Sequence, residues 1–196
     1  MKSSFLSIPK LVDQLNQGSP VVFPTDTMPA LATLPKFAYQ MWEIKGRPKS
    51  KPLILMGSSS EDLFNFVNEV ALKDALSIAQ KYWPGALTMV LPSSSELVHE
   101  LNPGGVSIGM RVPDCDLAKH LLSQSGPLAT SSANLSGQEP LLLSEEVAAK
   151  FPRFPLLAPT PWPKPSGLAS TVISWQGPGN WHLIRKGAVI PEVIGK

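Results

Sequence analysis

Apolar positions along the chain fall into short runs, set apart by polar stretches marked with glycine or proline. Ser7 ahead of Ile8 and Pro9 marks a helix start, and Gly18 its stop. The run PVVFPT (20–25) predicts a short strand. KFAYQMWEIKG (36–46) predicts a helix with Phe37, Met41 and Ile44 on one face, ending at Gly46. PLILMG (52–57) is continuously apolar, the pattern of a buried strand. Helices follow near 60–68 and 71–82, then strands in ALTMVL (86–91) and VSIGMRV (106–112). Next come a helix over 114–124, a strand over 127–130, a loop over 131–142 and a helix over 144–150. Strands near 155–158, 170–175 and 181–185 close the chain. Helices and strands alternate at first and strands dominate later, which predicts an α/β fold on a mixed sheet.

Composition narrows the class. With 196 residues, 43% hydrophobic and 16% charged, the expectation is a single domain over 1–196 with a sizeable core. The 21 prolines sit largely at segment edges, where they stop helices and set extended backbone. PTPWPKPSG (159–167) reads as an extended surface loop, with a mobile lid as the alternative. A net charge of +2 gives no bulk pull toward nucleic acid, although a local basic cleft is compatible with it. The single cysteine, Cys115, excludes an intrachain disulfide and a multi-thiolate zinc site. No run of 18 apolar residues and no apolar signal core in 1–10 are present, so a cytoplasmic location without a membrane partner is expected.

The familiar phosphate loop, the G-x-G-x-x-G turn and the G-x-S-x-G elbow are absent from the sequence. His99, His120 and His182 lack metal-ligand spacing, so no protein metal site is expected. Four polar clusters instead sit at the ends of expected strands or helices, where open α/β sheets place ligands. PTDTM (24–28) holds Thr25, which reads equally as a capped turn. KGRPKSKP (45–52) holds Lys45 and Arg47. A guanidinium held by a restricted backbone suits phosphate oxygens, and a solvated loop behind a helix end is the other reading. VSIGMRVPD (106–114) places Arg111 in an apolar strand, where either a buried ion pair or an anionic ligand must accompany it. ATSSANLSG (129–137) offers the hydroxyls of Ser131, Ser132 and Ser136 and the amide of Asn134, against the alternative of a self-satisfied loop. SGLASTV (166–172) and Arg185 in LIRKG add further hydroxyls and a cation.

Taken in this order, PTDT, KGRP with KPLI, WPGALTMVL (83–91), RVPD, SSANLSG, GLASTV and IRKGAV (184–189) make the chain resemble the YrdC/Sua5 family of threonylcarbamoyl-AMP synthases. The hallmark is K-x-R with a distant S-x-N, here Lys45, Arg47, Ser132 and Asn134. The resemblance implies a twisted mixed β-sheet flanked by helices around a positively charged concave cavity. It implies that L-threonine, bicarbonate or CO2 and ATP become threonylcarbamoyl-AMP and pyrophosphate, for the t6A modification at tRNA position 37. It assigns ATP to Arg47, Ser107, Ser132 and Arg185. It places Thr25, Arg111, Thr130 and Ser170 near threonine, with Arg111 on its carboxylate. Lys45 would hold phosphate or carbamate oxygens, and Asn134 would order its loop and donate to the ligand. Mg2+ would ride on the triphosphate rather than in a protein cage. tRNA or double-stranded RNA and other proteins of the t6A pathway are the partners implied. Where the family reads PTETVYGLG, this chain has PTDTMPALA. Met56 stands in place of a histidine, and Ala169 and Ser174 in place of acids. These departures keep a second reading open: a YciO-like paralogue that binds nucleotide or double-stranded RNA without threonine-dependent activity.

Overall fold

The computed structural model describes residues 4–135 and 137–194. Its strands are β1 (Phe5–Leu6), β2 (Val21–Phe23), β3 (Ala30–Thr33), β4 (Ile54–Met56), β5 (Leu87–Pro92), β6 (Ser107–Arg111), β7 (Leu128–Ser132), β8 (Leu156–Leu157), β9 (Thr171–Gly177) and β10 (Asn180–Arg185). They form one sheet in the order β1-β8-β2-β3-β7-β4-β6-β5-β9-β10. The sheet is mixed: β4 runs parallel to β6 and β5 to β9, while β3–β7, β4–β7 and β5–β6 are antiparallel. The helices are α1 (Ile8–Asn16), α2 (Tyr39–Lys45), α3 (Ser60–Phe64), α4 (Glu69–Tyr82), α5 (Leu97–Leu101), α6 (Asp116–Ser125) and α7 (Ser144–Lys150). Among the described residues no helix is long and apolar enough to cross a membrane.

Side chains alternate across a strand, so one strand can feed two cores. Val22, Leu31, Leu55 and Ala129 join Met41 and Trp42 of α2 and Ala71 and Ala75 of α4 in a large cluster on one face. Their neighbours Val21, Phe23, Ala30, Ala32, Met56 and Leu128 join Leu11 and Leu15 of α1 and Leu121 and Leu122 of α6 on the other. The second pair of helices covers only part of its face. Leu87, Met89, Leu91, Ile108 and Met110 point into the first core. The residues between them, Thr88, Val90, Ser107 and Gly109, face a cavity instead. The uncovered half of the sheet is therefore where a ligand can lie.

Several expectations shift in detail. Residues 36–46 divide into a 3-10 turn at Pro35–Phe37 and α2, which buries Met41, Trp42 and Lys45 rather than a Phe37–Met41–Ile44 stripe. Gly46 ends α2 in a left-handed conformation (φ 55°), as expected of a glycine stop. Ser7 is extended ahead of α1 but makes no side-chain cap bond. The strands β1 and β3 and the helix α5 lie where the sequence pattern suggests none. β3 is Ala-Leu-Ala-Thr, short and with little β-branching, and its conformation is fixed by pairing with β2 and β7 on either side. β7 continues through Ser132, two residues into the expected loop.

One close approach holds the far end of the sheet to the segment before β9. A Cβ on Gly187 would lie 2.2 Å from the Ala169 carbonyl oxygen and 2.5 Å from the Ser170 carbonyl carbon. Gly187 N–H donates to Thr171 Oγ1 at 3.0 Å, and the Thr171 hydroxyl donates to the Val189 carbonyl. Gly187→Ala must push backbone from backbone, at a cost of about 2–3 kcal/mol. A fall in melting temperature of roughly 4 °C or more is expected by calorimetry. A melting temperature within one degree of the parent's refutes the packing argument.

Candidate functional site

Two clefts lie side by side on the uncovered half-face, sharing Arg47, Pro52, Ile54 and Arg185. The first, about 110 Å3, reaches in to Thr25, Met28, Met56, Arg111 and Thr130. The second, about 440 Å3, runs over Thr88, Val90, Ser107, Gly109 and Val172. Of the ten candidate residues, seven line the first cleft: Thr25, Arg47, Arg111, Thr130, Ser132, Ser170 and Arg185. Ser107 lines the second. Lys45 and Asn134 stand just behind the first, bonded to its β7 wall. Ser136 lies outside the described residues.

The cations are held by main-chain carbonyls. Lys45, 3% exposed at the end of α2, donates from Nζ to the Ser132 carbonyl. Arg47 donates from Nε to the Lys51 carbonyl (3.1 Å) and from Nη2 to the Pro52 carbonyl (2.9 Å). Arg185, at the rim, holds the Ser170 carbonyl through Nη2 at 2.9 Å and Nε at 3.2 Å. Arg111 is buried at 4% exposure and donates from Nε to the Gly85 carbonyl at 2.9 Å. Its Nη1 reaches Thr27 Oγ1 at 2.7 Å and its Nη2 meets Asp26 Oδ1 at 2.6 Å. Of the two readings open for Arg111, the buried ion pair is thus present. It still leaves N–H groups and a face on the cleft.

The electrostatics follow from crowding. Burial, and after it the neighbouring Arg47 charge, together lower Lys45 from 10.5 to about 8. Burial also depresses Arg47 and Arg111, with Arg185 adding to both. Asp26 opposes the shift at Arg111. Arg47 and Arg185, which stand at the junction of the two clefts on carbonyl partners, form a pair of donors suited to an anion.

The hydroxyl groups do something different from what their types suggest. Thr25 Oγ1 donates to the Met28 carbonyl (2.7 Å) and accepts from the N–H groups of Thr27 and Met28. It is the capped turn of the bland reading, and it also walls the cleft. Thr130 donates to the Ile54 carbonyl at 3.0 Å. Ser132 donates to Asn134 Oδ1 at 2.5 Å. Asn134 Nδ2 donates to the carbonyls of Leu135 (3.1 Å) and Gln138 (2.7 Å), so both its amide protons are engaged in ordering the loop. Ser170 pairs with Thr88 Oγ1 at 2.9 Å. Lone pairs, not protons, are what Thr130 and Ser132 offer the cleft.

The sequence reading missed Asp26 as part of the site. Its carboxylate also accepts from the Asp114 N–H at 3.1 Å, and its carbonyl receives the Ser166 N–H at 2.9 Å. The neighbouring Thr27 carbonyl receives Gly167 N–H, also at 2.9 Å. The proline-rich segment is in this way tied to the 24–28 loop, with Trp162 buried and its Nε1 on the Leu157 carbonyl. Among the described residues no group of three or more His, Cys, Asp or Glu side chains is arranged to hold a metal ion.

Comparison with known proteins identifies the family and the fold. A Sua5/YciO/YrdC family model, described as "Telomere recombination", matches residues 13–187. A Bos taurus protein named threonylcarbamoyl-AMP synthase is 33% identical over 193 residues, covering 91% of this chain and 67% of the relative. The crystal structure of P. abyssi Sua5 complexed with L-threonine superimposes with a TM-score of 0.86 at 30% identity, over 96% of this chain but only 57% of Sua5. The E. coli YciO structure has a TM-score of 0.82 at 22% identity, over 98% of this chain and 99% of YciO, a likeness of fold. The chain spans about two thirds of the Bos taurus relative and little more than half of the archaeal protein. From motif order, fold and family model alike, the chain belongs to the Sua5/YciO/YrdC family.

Proposed function

We propose that this protein makes threonylcarbamoyl-AMP and pyrophosphate from L-threonine, bicarbonate or CO2, and ATP. The observation that carries the reading is the pair of clefts joined at Arg47 and Arg185, with Arg111 at the inner end of the smaller one. Relatives bearing the synthase name and a Sua5 that binds L-threonine support it, at higher identity than YciO. The larger cleft has the size of a nucleoside site, and the smaller suits an amino acid. ATP would lie with adenosine over Ser107 and Gly109 and its phosphates between Arg47 and Arg185. Threonine would enter the inner cleft with its carboxylate on Arg111.

In this arrangement the threonine nitrogen adds to the carbon of CO2 and loses a proton, giving a carbamate. A carbamate oxygen then attacks the α-phosphorus, and the bond to the β-phosphate oxygen breaks to release pyrophosphate. Lys45, Arg47 and Arg185 stabilise the charge that builds on phosphate and carbamate oxygens. Because these groups are already fixed by carbonyls, little reorganisation accompanies the step. Mg2+ would arrive with the triphosphate, held by phosphate oxygens and water. The labile adenylate would pass to other proteins of the t6A pathway and so to tRNA. Incubation with ATP, threonine and labelled bicarbonate tests the reading: threonine-dependent pyrophosphate and a labelled adenylate are expected. Threonine-independent ATP turnover, or salt-sensitive binding of double-stranded RNA without turnover, refutes it.

Arg111→Lys keeps the charge but loses the planar fork. KM for threonine should rise roughly 10- to 100-fold while KM for ATP changes little, the loss of one charged hydrogen-bonded contact. An equal rise in both constants contradicts the placement of the carboxylate.

Lys45 gives a pH test with two opposite signs. The ammonium form holds anionic oxygens, so kcat/KM for ATP should fall as pH rises through about 8. Stability should move the other way. The unfolded chain binds more protons than the folded one between about 8 and 10.5, so stability rises with pH across that window. Below it the full penalty of the buried cation applies, about 3 kcal/mol. Lys45→Met removes that penalty, and the Ser132 carbonyl keeps the Asn134 N–H at 2.9 Å. The variant should melt roughly 6 °C or more higher at pH 7 and lose synthesis. A lower melting temperature, or a flat kcat/KM from pH 7 to 9.5, overturns this account.

A further inference from the structure

Arg111 and Met56 are register partners on adjacent parallel strands, β6 and β4, and both line the inner cleft. Strands lie about 4.8 Å apart, and paired residues share a face. Resting on the reading above, an amino acid whose carboxylate meets Arg111 therefore carries its β-substituents, a few bonds away, against Met56. Met28, Ala30 and Ile54 continue that wall. Met56 is 4% exposed and packs into the α1–α6 core, so it is backed by protein rather than by water.

The polar groups at this end have partners within the protein, Ser170 with Thr88 Oγ1 and Arg185 Nη2 among them. Thr25 donates to the Met28 carbonyl, so in the Thr25–Thr27 contact of 3.0 Å Thr27 is the donor, and Thr27 accepts from Arg111. Thr130 donates to the Ile54 carbonyl. No hydroxyl in this set is left without a partner by a ligand that lacks a β-hydroxyl. A site rejects such an analogue strongly only when its own buried polar groups would then be unpaired. A methionine wall is also adaptable in shape.

We propose that Met56, with Met28, sets amino-acid selectivity by shape, so that the site takes small β-branched amino acids as a class and uses valine alongside threonine. The test measures adenylate formation and calorimetric binding for threonine, valine and leucine, with the full chain and ATP or a non-hydrolysable analogue. Valine should fall within roughly 10- to 200-fold of threonine in kcat/KM, the range of apolar discrimination. Met56→Ala should raise leucine relative to threonine by about tenfold or more, by opening the wall. Met56→Gln, near in length and with a new hydrogen-bonding head, should widen the threonine-to-valine ratio and serves if the alanine variant does not fold. Discrimination against valine of 10⁴ or more, about the rejection a dedicated hydroxyl site produces, overturns the proposal while threonine-dependent synthesis stands. Unchanged ratios in both variants overturn it equally. Absence of adenylate from every amino acid, with ATP still bound, overturns the synthase reading and this inference with it.

Discussion

A guanidinium at the bottom of a cleft keeps its charge, so burying it is costly unless a carboxylate pairs with it, and Asp26 is placed to do so. The 2.6 Å contact between Arg111 and Asp26 joins the end of β6 to a loop 85 residues away in sequence. Removing one partner of such a pair strands a buried charge at several kcal/mol, which makes the loop's position obligatory. The rest of the inner cleft hangs on that position. Asp26 fixes the start of the Asp114 segment, its carbonyl and that of Thr27 hold the proline-rich segment, and Thr25 closes the turn between them.

The sheet sets where this can happen. Alternation along β5 and β6 sends leucine, isoleucine and methionine into one core and leaves Thr88, Val90, Ser107 and Gly109 on a face that α1 and α6 do not reach. Covering the whole face would bury the Ser107 side chain as well, which is costly for a hydroxyl left without a partner. The same alternation brings Met56 and Arg111 side by side, an apolar group next to a charged one.

Much of this was legible beforehand. The alternating Ser-Ile-Gly-Met-Arg of β6 carries both core and cleft in its pattern, and Gly46 marks the helix end that aims Lys45 and Arg47. The K-x-R and S-x-N pairs pointed to one place, and the Lys45–Ser132 bond joins them. What was not legible depended on partners far along the chain. Ala30–Thr33 has no strand signature until β2 and β7 flank it. Asp26 reads as a turn residue until Arg111 is seen beside it. Asn134 reads as a ligand donor until Leu135 and Gln138 take its protons. Hydroxyl type told which groups can bond, but the bonds already made decide which proton or lone pair is left.

Lys45, Arg47, Arg111 and Arg185 each rest on a peptide oxygen: that of Ser132, of Lys51 and Pro52, of Gly85 and of Ser170. A peptide oxygen is supplied by any amino acid. For Lys45, Arg47 and Arg185 the placement of charge is thereby insulated from the identity of the flanking residues, and a wall residue such as Met56 can change while these cations stay in register. Changes of cleft shape are then within reach of few mutations, none of which has to displace a cation.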